Sequence, residues 1–216
     1  MVKRTKRSAL LRRLILTGVV LIVLISMGFG TKFVGKVEAR TAESTGLDPA
    51  KFANDKYSSV IAPQIIKQAT DIVTVASAIQ ADAATAATKY AKQEGSSAPV
   101  FSVIAKGSAG LVNSDGLMPI VVRGMPAGVT VYLQMGPALN GTAVRDATGT
   151  VHFEQFVNQL DYQAASNELN NQVRTKVLKG VDAKALKGKP VTAIGTFQLG
   201  NPDAYILMPV KIEQSK

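Results

Sequence analysis

Residues 99–136 read PVFSVIAKGSAGLV (99–112), NSDG (113–116), LMPIVVRG (117–124), MPA (125–127) and GVTVYLQMG (128–136). Three runs rich in Val, Ile and Leu are separated by two clusters of turn-forming residues. β-branched runs of this length bounded by Asn, Asp, Gly and Pro predict strands joined by tight turns. The expected strands lie near 100–112, 117–123 and 129–135, forming a meander. Gly95-Ser96-Ser97-Ala98-Pro99 marks the entry to them as a linker.

Beyond the meander the period changes. Over 153–179, Phe153, Phe156, Val157, Leu160 and Ala164 fall on one helical face. Ala165, Leu169, Val173 and Val177 fall on another, offset by about one residue, so a break is expected near Asp161–Gln163. Two strand-like runs follow, VTAIGTFQLG (191–200) and YILMPVKIEQ (205–214), split by Asn201-Pro202-Asp203. Pro209 lacks a backbone donor and predicts an edge or a bulge in the last strand. Three strands, a helix and two strands is the element order of an OB-fold, a small five-stranded barrel. The fold class expected is α+β, with that barrel preceded by a helical segment.

The helical segment spans 50–95. Ile65, Ala69, Ile72, Ala76, Ile79, Ala83, Ala86 and Tyr90 recur at steps of three and four. Asp48-Pro49 is a start signal, and Asp71 and Asp82 each offer a cap for a new helix. The stripe is expected to pack on the domain's own sheet.

Leu14 to Gly30 reads LILTGVVLIVLISMGFG, without a charge. As a helix it is ~26 Å long, close to the ~30 Å hydrocarbon core of a bilayer. Lys3, Arg4, Lys6, Arg7, Arg12 and Arg13 precede it, and no acid occurs before Glu38. This asymmetry keeps the N-terminus in the cytoplasm and exports the rest. The small-x-small triplet Val37-Glu38-Ala39 is too far downstream to suit a signal peptidase site. The expectation is an uncleaved single-pass anchor in the cytoplasmic membrane with an extracytoplasmic C-terminal domain. The chain then divides into a basic tail (1–13), the transmembrane segment (14–30), a tether (31–49), a helical region (50–95) and the barrel (96–216).

The net charge of +10 does not make a nucleic-acid binder. Six of the 25 basic residues sit in the tail, leaving 19 against 15 acids, an excess of 4. A nucleic-acid interface carries its basic stripe on the folded domain. With no cysteine and a single histidine, His152, disulfide frameworks, thiolate metal sites and multi-histidine zinc sites are excluded. Phosphate-cradling, zinc-protease and serine-hydrolase motifs are missing. No cofactor or metal is expected.

The densest polar cluster is QMGPALNGTAVRDATGTVHFEQFVNQLD, 134–161. Gly136-Pro137 and Asn140-Gly141 force turns there, and Gly136, Pro137, Gly141 and Thr142 are read as a structural loop. Arg145, Asp146, Asn158 and Gln159 are the candidate binding residues: Arg145 to grip a carboxylate or phosphate, the amides to meet hydroxyls. In the alternative reading the loop is structural, with Asp146 bracing it and Asn158 satisfying backbone. Tyr132 and Tyr162 are candidates for stacking on a sugar or base, although packing suits them better. His152 alone is read as an ordinary histidine, and Asn140-Gly141-Thr142 as a chance glycosylation triplet.

This cluster resembles a bacterial family of predicted periplasmic lipoproteins of unknown function. Its run of Gly-Pro, Gly-Thr-Ala and Arg-Asp, then Phe-x-x-Phe-x-Asn-Gln and a later Asn, falls here on Gly136, Pro137, Gly141, Thr142, Ala143, Arg145, Asp146, Phe153, Phe156, Asn158, Gln159 and Asn170. The resemblance implies an extracytoplasmic, membrane-attached protein encoded beside sugar ABC transporter genes, hence a non-catalytic accessory. The alternative is an envelope module binding glycan or nucleic acid on the barrel. One departure is plain: the cysteine that a lipoprotein acylates is missing, which favours the uncleaved helix as the anchor.

Overall fold

The computed structural model describes residues 46–95 and 97–215. The basic tail, the apolar segment 14–30 and residues 31–45 of the tether lie outside them. Among the described residues no helix is long and apolar enough to cross a membrane.

Aspartates start the helical region where the sequence places them. The Asp48 carboxylate accepts from the Lys51 amide and Pro49 opens α1 (Pro49–Lys56). A π-turn at Tyr57–Ile61 leads into α2 (Ala62–Gln68). The chain then extends through the two-residue strand β1 (Thr70–Asp71). Asp71 caps α3 (Ile72–Ala81) and Asp82 caps α4 (Ala83–Tyr90), each accepting two backbone amides. The strand β2 (Ala91–Lys92) closes the region. The apolar stripe is therefore not one face. Ile65 joins one hydrophobic cluster, Ile72, Ala76, Ile79 and Ala86 join another, and Ala83 is exposed. Breaks at Ala69–Asp71 and Asp82 turn the stripe, because a capping carboxylate satisfies the first amides of each new helix.

The barrel strands are β3 (Val100–Ala109), β4 (Leu117–Val121), β5 (Thr130–Gln134), β6 (Pro190–Gln198) and β7 (Ala204–Gln214). Their order is β3-β4-β5-β7-β6, and β6 pairs back onto β3 over nine residues to close the ring. The β5–β7 pair is parallel; the other pairs of the ring are antiparallel. This closed five-stranded ring with a helical connection between its third and fourth strands is the OB-fold arrangement.

Alternation along the strands separates two cores. Phe101, Val103, Val131, Leu133, Ala193, Phe197, Tyr205 and Leu207 point into the barrel, where α3 joins them. Phe101, Phe197 and Tyr205 stack in series at 5.2 and 4.6 Å between centroids. Val100, Met208 and Val210 point outward beneath a helical layer. Pro209 marks a bulge, as its missing donor predicts: Ile194 pairs with Lys211 but Gly195 pairs with Pro209.

The connection between β5 and β6 departs from the sequence expectation. It runs through a short helix α5 (Ala143–Asp146), a 3-10 turn at Phe153–Gln155, α6 (Gln159–Val173) and a π-turn at Arg174–Leu178. The break falls before Gln159, not at Asp161–Gln163. Asn158 sets it: its extended backbone and its side-chain oxygen, which accepts from the Asp161 amide, start the helix there. Ala165, Leu169 and Val173 are buried as their spacing predicts. Of the other face, Phe156 is buried but Phe153, Val157 and Leu160 are exposed.

Candidate functional site

The 134–161 cluster folds back on the barrel. Gln134, at the end of β5, grips Asn140 twice: its amide nitrogen donates to the Asn140 carbonyl (3.2 Å) and its oxygen accepts from the Asn140 amide (3.0 Å). Asn170 on α6 donates to the Gly141 carbonyl at 3.0 Å, and Arg174 donates to the Pro137 carbonyl. The Thr142 carbonyl accepts from the Asp146 amide and opens α5. The Gly136–Pro137 peptide is cis. Gly136 presses on the β3–β4 hairpin so closely that a Cβ on Gly116 would sit 1.9 Å from the Gly136 oxygen. Gly116 also has φ +75°, so both geometry and space demand glycine there. Gly136, Pro137, Gly141 and Thr142 thus form a braced loop.

Arg145 and Asp146 are neighbours in sequence and partners in space, 5% and 3% exposed. The Arg145 guanidinium forks onto the Asp146 carboxylate, Nε to Oδ1 at 2.6 Å and Nη2 to Oδ2 at 3.1 Å. Its Nη1 donates to the Tyr162 carbonyl at 3.1 Å. The guanidinium carbon lies 3.6 Å from the centre of the Tyr162 ring, a stacked cation–π contact. The Tyr162 hydroxyl lies 3.5 Å from Asp146 Oδ1 and 3.4 Å from the Val151 carbonyl. Burial pushes the Tyr162 hydroxyl pKa upward. The pair is therefore closed on itself: it ties α5 to the first turn of α6. A guanidinium spent on a buried carboxylate is not presented to a ligand.

The amides are elsewhere. Asn158 is exposed and spends its side chain on the α6 cap, its oxygen on the Asp161 amide and its nitrogen on the Asp161 carboxylate. Gln159 is exposed on the first turn of α6. Recesses of about 550, 230 and 160 Å³ mark the surface, and none is lined by Arg145, Asp146, Asn158 or Gln159. The four candidate residues thus lie around one helix start, and none of them lines any of these three recesses among the described residues. Tyr162 is a core residue. His152 holds Glu94 at 2.9 Å, and that carboxylate raises its pKa, through the hydrogen bond first and charge second.

Sequence reasoning singled out Tyr132 but passed over the row it belongs to on the outer face of β4, β5 and β7. Register aligns Pro119, Tyr132 and Ile206 side by side across the three strands. Tyr132 is half-buried, Ile206 is exposed, and Val121 at the end of β4 is 73% exposed. No charged residue occurs in 117–121, 130–134 or 204–206. The alternation itself was the available signal: Pro119, Val121, Tyr132 and Ile206 stand at outward positions of half-buried strands where polar residues such as Thr130 and Gln134 are the rule. Among the described residues no group of three or more His, Asp or Glu is placed to hold a metal.

The model of one protein family, described as "Predicted periplasmic lipoprotein (DUF2291)", matches residues 19–213. No curated protein is significantly similar to the chain. Among solved structures, the crystal structure of an OB-fold protein from Thermotoga maritima superposes with a TM-score of 0.63. The two are 22% identical, and the alignment covers 79% of this chain and 100% of that one. At that identity the likeness concerns the fold alone.

Proposed function

The chain belongs to this family of predicted periplasmic lipoproteins, and from that premise we propose that it is a non-catalytic binding module tethered on the outer side of the cytoplasmic membrane, an accessory to a sugar ABC importer. The observation that carries the binding role is the bare barrel face. Helices and loops pack against the outward Ile194 of β6 and the outward Met208 and Val210 of β7. On β4, β5 and the first half of β7 the outward Pro119, Val121, Tyr132 and Ile206 are half-buried or exposed and uncharged, with Thr130 and Gln134 as the polar members of the row. An OB-fold barrel offers its ligands this face and the loops beside it. Exposed apolar rows of this kind suit a protein partner better than solvent.

The non-catalytic reading draws on the closed Arg145–Asp146 pair and on the catalytic motifs missing from the sequence. The tethering reading draws on the apolar segment 14–30, its basic flank and the missing lipoprotein cysteine. A glycan is the second reading, favoured by Tyr132, whose half-buried ring on an uncharged strand face suits stacking on a sugar. Nucleic acid fits poorly, because this face lacks the basic side chains that phosphate neutralisation requires.

The test is recovery of the full chain from membranes in mild detergent, with and without Tyr132→Ala and Ile206→Asp together. The intact chain should bring down a permease or solute-binding component, and the double variant should lose it at unchanged melting temperature. Recovery of no transporter component removes the importer from the reading. Retention of the same partner by the double variant removes the barrel face.

A further inference from the structure

The apolar period over 153–160 is real, yet the fold leaves three of its four residues uncovered. Phe153, Val157 and Leu160 are 41%, 45% and 80% exposed, while Phe156 between them is buried against Phe52 and Tyr162. Leu47 is 43% exposed and belongs to the same place: its amide donates to the Gln155 carbonyl at 2.8 Å. Beside it, a Cβ on Gly46 would lie 2.6 Å from the Val157 nitrogen. Four large apolar side chains therefore ring the start of α6, next to the residue at which the chain enters the domain. Lys56 lines the adjoining recess together with Leu47 and Gln155.

What faces this ring follows from the chain that precedes it. The apolar segment ends at Gly30, and fifteen residues separate it from Gly46. Fifteen residues reach at most ~50 Å even when fully extended. The ring lies at the point of the domain with the shortest covalent path to the bilayer. Its apolar members, Leu, Phe, Val and Leu, suit the lipid interface, while Lys56 and the acids Asp48 and Asp161 beside them suit the headgroup layer. Glu154, exposed beside Phe153, sets the depth: a carboxylate tolerates the headgroup layer and not the acyl core.

We infer that Leu47, Phe153, Val157 and Leu160 form a membrane-contact rim that seats the domain on the headgroup layer of the bilayer, orienting the barrel. This rests on the tethering proposed above. The chain contains no tryptophan, so Leu160→Trp gives a single tryptophan, excited selectively over the tyrosines, at the most exposed rim position. The full-length variant is reconstituted into vesicles of phosphatidylethanolamine and phosphatidylglycerol, with and without a phosphatidylcholine carrying brominated acyl chains. Val121→Trp, on the barrel, serves as the reference. The Leu160→Trp emission should shift to the blue and be quenched by the brominated lipid, and the Val121→Trp emission should do neither. Vesicles that float with the protein while Leu160→Trp stays unshifted and unquenched overturn the rim and leave the tether standing. A blue shift without quenching means that protein, not lipid, covers the ring, and also overturns it. Failure to float removes the tether and the rim together.

Discussion

At the scale of single residues, the Arg145–Asp146 pair separates a structural role from a binding one. A carboxylate that is 3% exposed and holds a fork of two hydrogen bonds compensates a guanidinium that is itself buried. Asp146→Ala leaves that charge without its partner and should cost about 3–5 kcal/mol. Denaturant unfolding measures this directly; a loss under 1 kcal/mol, the level of exposed pairs, refutes the closed-pair reading. Thr196 makes the opposite case. Its side chain is fully buried on β6 and its hydroxyl has no hydrogen-bond partner among the described residues. Valine keeps the shape and removes the stranded oxygen, so Thr196→Val should raise stability by about 1 kcal/mol. His152, the chain's only histidine, provides a clean titration. Its folded pKa is raised above 6.5 by Glu94, so the folded state holds the proton more tightly than the unfolded chain. Its contribution is complete below the unfolded value and lost as the pH rises through the folded value. A histidine ring titration by NMR should show a midpoint above 6.5 that falls back in Glu94→Gln.

At the scale of elements, caps decide where helices begin. Asn158→Ala removes the oxygen that receives the Asp161 amide and should cost about 1 kcal/mol, read as a lowered melting temperature. An unchanged melting temperature means that another group starts α6. The same chemistry explains which elements were legible in the sequence. Asp48, Asp71 and Asp82 precede helical runs and cap them, and the strands of the meander lie within a few residues of the expected ranges. The α6 start was not legible, because Phe153, Phe156, Val157 and Leu160 keep helical spacing across a non-helical joint. Periodicity records where apolar side chains recur; it does not record whether the fold covers them. The candidate site was half legible for a related reason. Arg145 and Asp146 stand together in sequence and in space, but their burial depends on Tyr162, sixteen residues beyond Asp146, stacking beneath the guanidinium.

At the scale of the whole molecule, two hydrophobic cores share the same strands. On β3, Val100 faces the helical layer and Phe101 faces the barrel; on β7, Met208 and Leu207 divide in the same way. A strand cannot leave one core and stay in the other, since adjacent side chains are fixed to opposite faces of one backbone. The helices α1 and α6 are bound to each other across the outer core, where Gln172 donates to Asn54 at 2.6 Å. Gln68 on α2 reaches both the Ser102 hydroxyl on β3 and the Ala147 carbonyl. Barrel and helical layer should therefore unfold as one unit. Phe197→Ala empties the aromatic stack inside the barrel at a cost of about 3–5 kcal/mol, and Leu169→Ala opens the outer core at about 2–5 kcal/mol. Both should lower a single calorimetric transition, with calorimetric and van't Hoff enthalpies in agreement. If Leu169→Ala splits off an early transition while Phe197→Ala moves only a late one, the layers are separate units. The shared strands would then fail to couple them.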